Sequence, residues 1–296
     1  MPSPFPIFPS PPVTVRAARA LLIAHLQRHG IPDPEATAEF TLAELLGTGR
    51  TELLLRGATA LNAEPLVRLA QQAERLARHE PLQYVLGTEI FGGRVFRCDR
   101  RALIPRPETE GLVERMLACA ELRRAARPEI ADVGTGSGCI AITLALARPA
   151  ARVTAVDASA AALSLARENA ERLGATAVVF RAGDLLDGFA PRSLDAIVAN
   201  LPYVATRELA GLAPNVRDHE PASALDGGPD GLRLIERLIA QAAGVLRTPG
   251  RIFLEIGEDQ GARTAALLRR AGFAAVAIAK DLAGHDRVAE GVLAPR

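Results

Sequence analysis

Tryptophan is absent from the chain, tyrosine occurs twice, and aromatic residues together make up 4% of 296 residues. Proteins that read unpaired nucleic acid stack its bases on aromatic side chains, so this scarcity disfavours that class. Charge of one sign is lacking as well. Thirty-five basic against 34 acidic residues leave a formal net charge of +1, too little to hold nucleic acid through phosphate contacts alone. Lys280 is the only lysine, and every other strongly basic residue is arginine. Cys98, Cys119 and Cys139 are an odd number with no Cys-x-x-Cys pair, which suggests neither a disulfide framework nor a zinc knuckle and fits a reducing cytoplasm. His25, His29, His79, His219 and His285 stand apart from one another without metal-ligand spacing, so no metal site is readable. No apolar run reaches the roughly 20 residues of a membrane span. The opening M-P-S-P-F-P-I-F-P-S-P-P has neither the basic start nor the apolar core of a signal peptide, and residues 1–12 are expected to form a disordered, proline-rich tail.

What is present is the composition of a folded protein, 49% hydrophobic and 23% charged, with room for a main domain of about 190 residues and a smaller companion. Between Val13 and about Arg78 apolar residues recur at helical spacing, as in Val15, Ala18, Leu22, Leu26 and in Ala38, Leu42, Leu45, Leu46. Residues 13–83 therefore read as a small helical bundle. From Tyr84 to Ile104 the texture changes to Phe91, Val95 and Phe96 punctuated by Gly87, Gly92 and Gly93, which predicts a linking β-hairpin over 84–105 and a domain boundary near 105. Over 106–296 short apolar strands alternate with longer helical stretches. Strands are predicted at Ile130–Val133, Arg152–Val156, Ala177–Phe180, Leu194–Ala199 and Ile252–Ile256, and helices at Ile140–Ala147, Ala160–Leu173, Leu232–Leu246 and Ala262–Ala271. Two terminal strands, Ala274–Ala279 and Arg287–Leu293, are close enough to pair antiparallel. The sum is a doubly wound, seven-stranded α/β sheet of Rossmann-like type.

The first strand runs into D-V-G-T-G-S-G-C, Asp132 to Cys139. Gly134, Gly136 and Gly138, with Thr135 and Ser137 between them, form a turn that lets backbone approach a ligand at a helix N-terminus. A dinucleotide fingerprint places its third glycine one position later; this spacing fits a loop that wraps an amino acid and a ribose. The second strand ends at Asp157, where a carboxylate can take both ribose hydroxyls, and the third is followed by Asp184 and Leu185, suited to an adenine amino group and to the ring face. Alone, the glycines are equally a tight strand-to-helix turn, and the lesser alternative for Asp157 is a helix N-cap. Cys139 reads as a small helix residue rather than a nucleophile. The fourth strand ends in N-L-P-Y, Asn200 to Tyr203, at the sheet edge where open α/β folds bind ligands; on its own this is equally a turn.

With those motifs, the chain resembles the release factor glutamine methyltransferases, which modify the glutamine of the Gly-Gly-Gln motif in class I peptide chain release factors. The resemblance runs from about Val13 to Val292. It includes E-P-L-Q-Y-V-L-G at Glu80–Gly87, L-I-P-R-P-E-T-E at Leu103–Glu110, the glycine loop, E-P-A-S-A-L-D-G-G-P-D-G-L at Glu220–Leu232, L-E-I-G-E-D-Q at Leu254–Gln260 and D-R-V at Asp286–Val288. It implies a class I methyltransferase fold, S-adenosylmethionine as cofactor and an N-terminal helical domain that recognises the protein partner. Gly134, Thr135, Gly136, Ser137, Gly138, Asp157, Asp184, Leu185 and Asn200 are the expected cofactor contacts. An amide nitrogen is a poor nucleophile because its lone pair is delocalised, so a site must orient it and bind its hydrogens to acceptors. The Asn200 side-chain oxygen and the Leu201 carbonyl suit that role, with Pro202 stiffening the loop, Tyr203 stacking on the planar group, and Arg106 and Glu108 bordering the pocket. The family usually reads N-P-P-Y, so Leu201 is a departure, in a form more typical of enzymes that methylate adenine. Glutamine methylation of a ribosomal protein, adenine-N6 methylation of nucleic acid, and cofactor binding without turnover are the competing classes.

Overall fold

Thr14 begins the first helix by accepting the Ala17 N–H on its hydroxyl at 3.2 Å, pairing one of the donors that a helix start leaves open. The computed structural model describes residues 7–295. The chain divides into two units: residues up to Gly87 together with Pro214–His219, and Thr88–Ala213 together with Glu220 onward. In the first, β1 (Val13–Thr14) and β2 (Ala60–Leu61) pair antiparallel, and the rest is helical: α1 (Val15–Arg28), α2 (Pro34–Leu45), α3 (Arg50–Leu55), α4 (Ala63–Ala77) and α5 (Leu82–Leu86). Val15, Ala18, Leu22 and Leu26 are all buried on one face of α1, as their spacing predicts, and pack with Leu42, Leu66, Leu69 and Leu76. Glu39 on α2 is nearly buried between Arg50 and Arg19, and their guanidiniums hold its carboxyl below the usual carboxylate range. Residues 1–6 of the expected tail lie outside the described residues. Its later part is not free: Phe8 is 4% exposed and joins this core, because an aromatic ring in a proline-rich segment still gains by leaving water.

The second unit opens with the hairpin β3 (Thr88–Phe91) and β4 (Arg94–Arg97), turned at Gly92-Gly93. It is shorter than the 84–105 expected, since Tyr84 belongs to α5. It also lies with the second unit, so the division falls after Gly87 and not near 105. The cause is visible in its packing: Phe91 and Phe96 meet edge to face and are buried with Leu112, Ile140 and Leu144. There follow α6 (Pro107–Ala118), α7 (Ala120–Arg124), β5 (Glu129–Val133), α8 (Cys139–Ala147), β6 (Arg152–Asp157), α9 (Ala160–Leu173), β7 (Val179–Ala182) and β8 (Leu194–Ala199). After the short α10 (Pro214–Arg217), which groups with the first unit, come α11 (Arg233–Val245), β9 (Leu246–Glu255), α12 (Gly261–Arg270), β10 (Phe273–Lys280) and β11 (Asp286–Leu293).

The sheet has seven strands in the order β10-β11-β9-β8-β5-β6-β7. Strands β9 to β7 run parallel, and β11 pairs antiparallel with both β9 and β10. Alternate residues of one strand serve opposite faces: Phe253 packs with α6 and α8, while Ile252 and Leu254 pack with α11 and α12. Strand order reverses between β5 and β8, the place where doubly wound sheets open a crevice. The fifth strand begins six residues before the expected Ile252, and the third is shifted by two, to an edge where Val179 is 59% exposed and the apolar pattern is weak.

Asn169 of α9 joins three parts of this unit. It accepts the Arg97 N–H at 2.7 Å and donates to the carbonyls of Arg97 and Ser137 at 3.1 and 3.0 Å, with no exposure to solvent. Asn169→Ala strands three backbone groups, and unfolding in urea is expected to show a loss of about 2 to 4 kcal/mol. A loss below about 0.5 kcal/mol, the range of an unremarkable surface change, contradicts this role for the amide.

Candidate active site

Along the carboxyl ends of β5, β6, β7 and β8 lies a cleft of about 440 Å³, within the range of small-molecule sites. Its walls include Gly134, Gly136, Asp157, Asp184, Leu185, Asn200, Leu201 and Pro202. The glycine loop is held from two sides. Beneath it, Asp132 Oδ2 accepts from the Thr135 hydroxyl at 2.7 Å and the Ala141 N–H at 3.0 Å. Beside it, Asp157 Oδ2 accepts the Gly136 N–H at 2.9 Å, while Oδ1 accepts the Ser159 N–H at 2.8 Å. Asp157 thus shapes both loops, and the cap of α9 is Ser159, whose hydroxyl accepts from Ala162. A carboxylate offers about four acceptor positions, so two backbone donors leave room for more. Gly134 cannot be replaced cheaply: its φ is +75°, and a Cβ there would sit 2.8 Å from Leu201 Cδ2. Leu201 is accordingly buried, its side chain packed beneath the loop.

Other expected contacts fall elsewhere. Thr135, Ser137 and Arg106 border a narrow recess beside the cleft, shared with Thr109 and Asn200. Gly138 caps α8 away from the cleft wall. Arg106 is committed to the fully buried side chain of Glu220, which also accepts the Ile104 N–H at 3.1 Å, so this ion pair fixes the Leu103–Arg106 segment. Glu108 lines a separate groove with Lys280, Leu282 and Arg287. Asp184 is half exposed and paired with Arg237 at 2.7 Å. The ring of Tyr203 is not among the residues lining the cleft; its hydroxyl lies 3.4 Å from Glu255 Oε1.

Behind the N-L-P-Y segment, Gln260 Nε2 donates to the Tyr203 carbonyl at 2.9 Å, and Val204 exchanges backbone bonds with Leu225 and Gly227. Gly231, at φ +77°, lets the backbone pass where a Cβ would be 2.2 Å from the Tyr203 oxygen. Sequence reasoning did not single out Thr109, Glu255, Glu220 or Asn169. Thr109 donates to Glu255 Oε2 at 2.7 Å and accepts from Asn200 Nδ2 at 3.1 Å. The available signal was a lone acid ending an otherwise apolar strand, L-E-I, and a threonine inside the P-E-T-E segment.

A parallel sheet with this glycine turn after one strand, a carboxylate after the next and an Asn-x-Pro-Tyr loop at the switch point defines a methyltransferase domain. Residues 113–214 match the methyltransferase small domain, and residues 17–87 match the PrmC N-terminal domain. The release factor glutamine methyltransferase of Deinococcus radiodurans is 43% identical over 264 residues, covering 89% of this chain and 93% of that protein. The Caulobacter vibrioides protein of the same name is 39% identical over 271 residues, covering 91% and 93%. A solved release factor-specific protein-(glutamine-N5) methyltransferase from Alicyclobacillus acidocaldarius is 36% identical with a TM-score of 0.41, over 68% of this chain and all of that one. The chain belongs to the release factor glutamine methyltransferase family. Among the described residues, no helix is long and apolar enough to cross a membrane, and no group of His, Cys, Asp or Glu is arranged to hold a metal ion.

Burial dominates the electrostatics here. It pushes the Cys139 thiol up to about 12 and the Tyr203 hydroxyl up to about 12, so both stay protonated at neutral pH. It also raises Asp132 and Glu255 to about 7, against the opposing hydrogen bonds from Thr135 and Thr109. Oδ1 of Asp132 is buried without a hydrogen-bond partner, which adds to the cost of its charge. Both folded values exceed the ordinary 3.8 and 4.5, so the folded chain holds more protons between those values and about 7. This stabilisation is complete below about pH 4 and is lost as pH rises through about 7. Stability in urea is therefore expected to fall from about pH 5 to about pH 8, and Asp132→Asn is expected to flatten that slope. An unchanged slope in the folded variant excludes Asp132 as a source.

Proposed function

We propose that this chain transfers the methyl group of S-adenosylmethionine to the side-chain amide nitrogen of the glutamine in the Gly-Gly-Gln motif of class I peptide chain release factors. The observation that carries this reading is the Asn200–Tyr203 loop at the edge of the cleft, in a chain of this family. The cleft suits the cofactor: its volume is adequate, Asp157 retains acceptor positions for ribose hydroxyls, Leu185 offers an apolar face, and Asp184 a nearby acceptor. Gly134, Thr135, Gly136, Ser137 and Gly138 supply the loop against which its amino-acid end would lie. When bound, the cofactor supplies an electrophilic methyl group on a sulfonium.

The rest is the work of the chain. Asn200 Oδ1 and the Leu201 carbonyl accept the hydrogens of the glutamine amide and turn its nitrogen toward the methyl group. Pro202 limits the freedom of the loop, and Tyr203 lies behind it with its hydroxyl at Glu255. Arg106 acts through its ion pair with Glu220, which holds the segment beside the recess. Glu108, on the neighbouring groove, is placed for the protein flanking the glutamine. Residues 13–83, within the first unit, are read as the partner-recognition domain, and the setting as the cytoplasm, where translation factors are found.

The deciding experiment incubates the full chain with labelled S-adenosylmethionine and, in parallel, an intact class I release factor, a ribosomal protein fraction and nucleic acid, then maps the modified residue by mass. Label on the Gly-Gly-Gln glutamine is expected; label on ribosomal protein or adenine alone overturns the assignment. Asn200→Ala is expected to lower the rate about 100-fold to 1000-fold, the usual cost of losing a positioned polar group, with a much smaller change in cofactor affinity by calorimetry. A folded variant that keeps most of its activity removes Asn200 from the reaction.

Leu201 distinguishes the glutamine and adenine readings. If its carbonyl alone serves the substrate, Leu201→Pro restores the usual family residue and keeps glutamine methylation within several-fold. The packing on Gly134 that proline gives up lowers stability by about 1 kcal/mol. Methylation of nucleic acid by both forms, with release factor untouched, refutes the glutamine reading.

A further inference from the structure

Two buried residues outside the cleft form a hydrogen-bond chain that ends on the Asn200 amide. Thr109, on the first turn of α6, is 2% exposed, and Glu255, at the end of β9, is 1% exposed. The Thr109 hydroxyl has one proton, and at 2.7 Å it donates that proton to Glu255 Oε2. Toward Asn200 the hydroxyl can then only accept. At 3.1 Å from Asn200 Nδ2 it does so, which fixes the NH2 group of the amide on the Thr109 side. Thr109 borders the narrow recess and not the cleft, whereas Asn200 borders both, so the amide oxygen is left toward the cleft. An amide flipped by half a turn would present two donors where the incoming glutamine nitrogen also brings donors.

We propose that Thr109 and Glu255 are positioning residues that set the polarity of the Asn200 amide, keeping Oδ1 as the acceptor for the substrate. This rests on the glutamine reading above. The relay runs in one direction only while Glu255 is a carboxylate. Once protonated, Glu255 can donate to Thr109, whose own proton then becomes free to point at Asn200 and favour the flipped amide. The groups facing Glu255 are Thr109 and Glu108 from α6, Tyr203 from the loop after β8, Arg287 from β11 and Cys139 at the start of α8. Burial, opposed by Thr109 and Arg287, raises its titration to about 7.

The test compares the parent with Thr109→Val, which keeps the shape and removes the hydroxyl, and Thr109→Ser, which restores it. With release factor as substrate, Thr109→Val is expected to lower kcat about 100-fold, the usual effect of misplacing a reacting group. KM for the cofactor and its affinity by calorimetry should stay within about threefold, well short of the tenfold that 1.4 kcal/mol represents. Thr109→Ser is expected to recover most of kcat. In the parent, kcat should decline as pH drops through the Glu255 titration, and in Thr109→Val that acid limb should vanish. Independently of turnover, the side-chain amide resonances of Asn200 in 15N spectra should shift with the same titration in the parent and not in Thr109→Val. A folded Thr109→Val with parental kcat, a Thr109→Ser no better than Thr109→Val, or Asn200 resonances that ignore pH in the parent each overturns the proposal. If the parent itself leaves release factor unmethylated, the glutamine reading fails instead, and the resonances still report on the relay.

Discussion

The carboxyl edge of the sheet buries polar groups that need partners from the chain around them, and the arrangement of the active site follows from that requirement. Asp132, Glu220, Glu255 and Asn169 are all within 5% of complete burial. An unpaired charge or amide at such depth costs several kcal/mol, so each of them survives only by collecting donors or acceptors from the chain around it. Those partners are the loops themselves: Asp132 holds Thr135 and Ala141, Glu220 holds Ile104 and Arg106, and Asn169 holds Arg97 and Ser137. The loops are thereby fixed to the body of the unit by buried side chains. The cleft is organised by contacts within the chain, and the stability of the unit and the geometry of its site become the same set of contacts.

This also explains which parts of the fold were legible in the sequence. Strands β5 and β8 are buried on both faces, so Ile130–Val133 and Leu194–Ala199 stand out as apolar stretches interrupted only by Asp132 and Asp195. The N-terminal helices show themselves through the spacing of Val15, Ala18, Leu22 and Leu26, and the glycine loop through residues that few other loops require. Helix α6 was hidden because Pro107, Glu108, Thr109 and Glu110 look like a charged turn, although proline at the first position with acids in the first turn is also how a helix begins. The hairpin was placed correctly in kind, but its extent was not, since Gly87 and the following strand carry no periodicity over so few residues.

The supporting residues were hidden for a different reason. Thr109 and Glu255 are separated by 146 positions, Asn200 and Thr109 by 91, and Arg97 and Asn169 by 72. Local pattern reports which face of an element is apolar; it does not report which polar residue on one element meets another across the sheet. Glu255 sits in L-E-I, where periodicity treats it as an interruption of an apolar strand, and only the fold reveals that the interruption faces Asn200 through Thr109. Arg106 illustrates the same gap from the other side. Its motif made it a candidate for substrate contact, but nothing in the local pattern announced that Glu220, 114 positions away, holds its guanidinium.

The protonation states around the loop indicate what kind of catalysis the arrangement suits. Cys139 and Tyr203, each raised to about 12, are a neutral thiol and a neutral phenol at physiological pH, unsuited to removing a proton from an amide. On the glutamine reading proposed above, a general base is of limited use, because the attacking nitrogen is weak through delocalisation rather than through carrying an extra proton, and what the loop would supply is orientation: acceptors that hold the amide hydrogens in one plane and leave the nitrogen facing the methyl donor. For that purpose the acceptors must neither rotate nor exchange roles. The Tyr203 carbonyl is tethered by Gln260, the loop is backed by the chain through Gly231, and the Asn200 Nδ2 donates to the Thr109 hydroxyl. A site that holds geometry rather than moving protons has good reason to keep Glu255, raised to about 7, buried behind Thr109 and off the cleft wall.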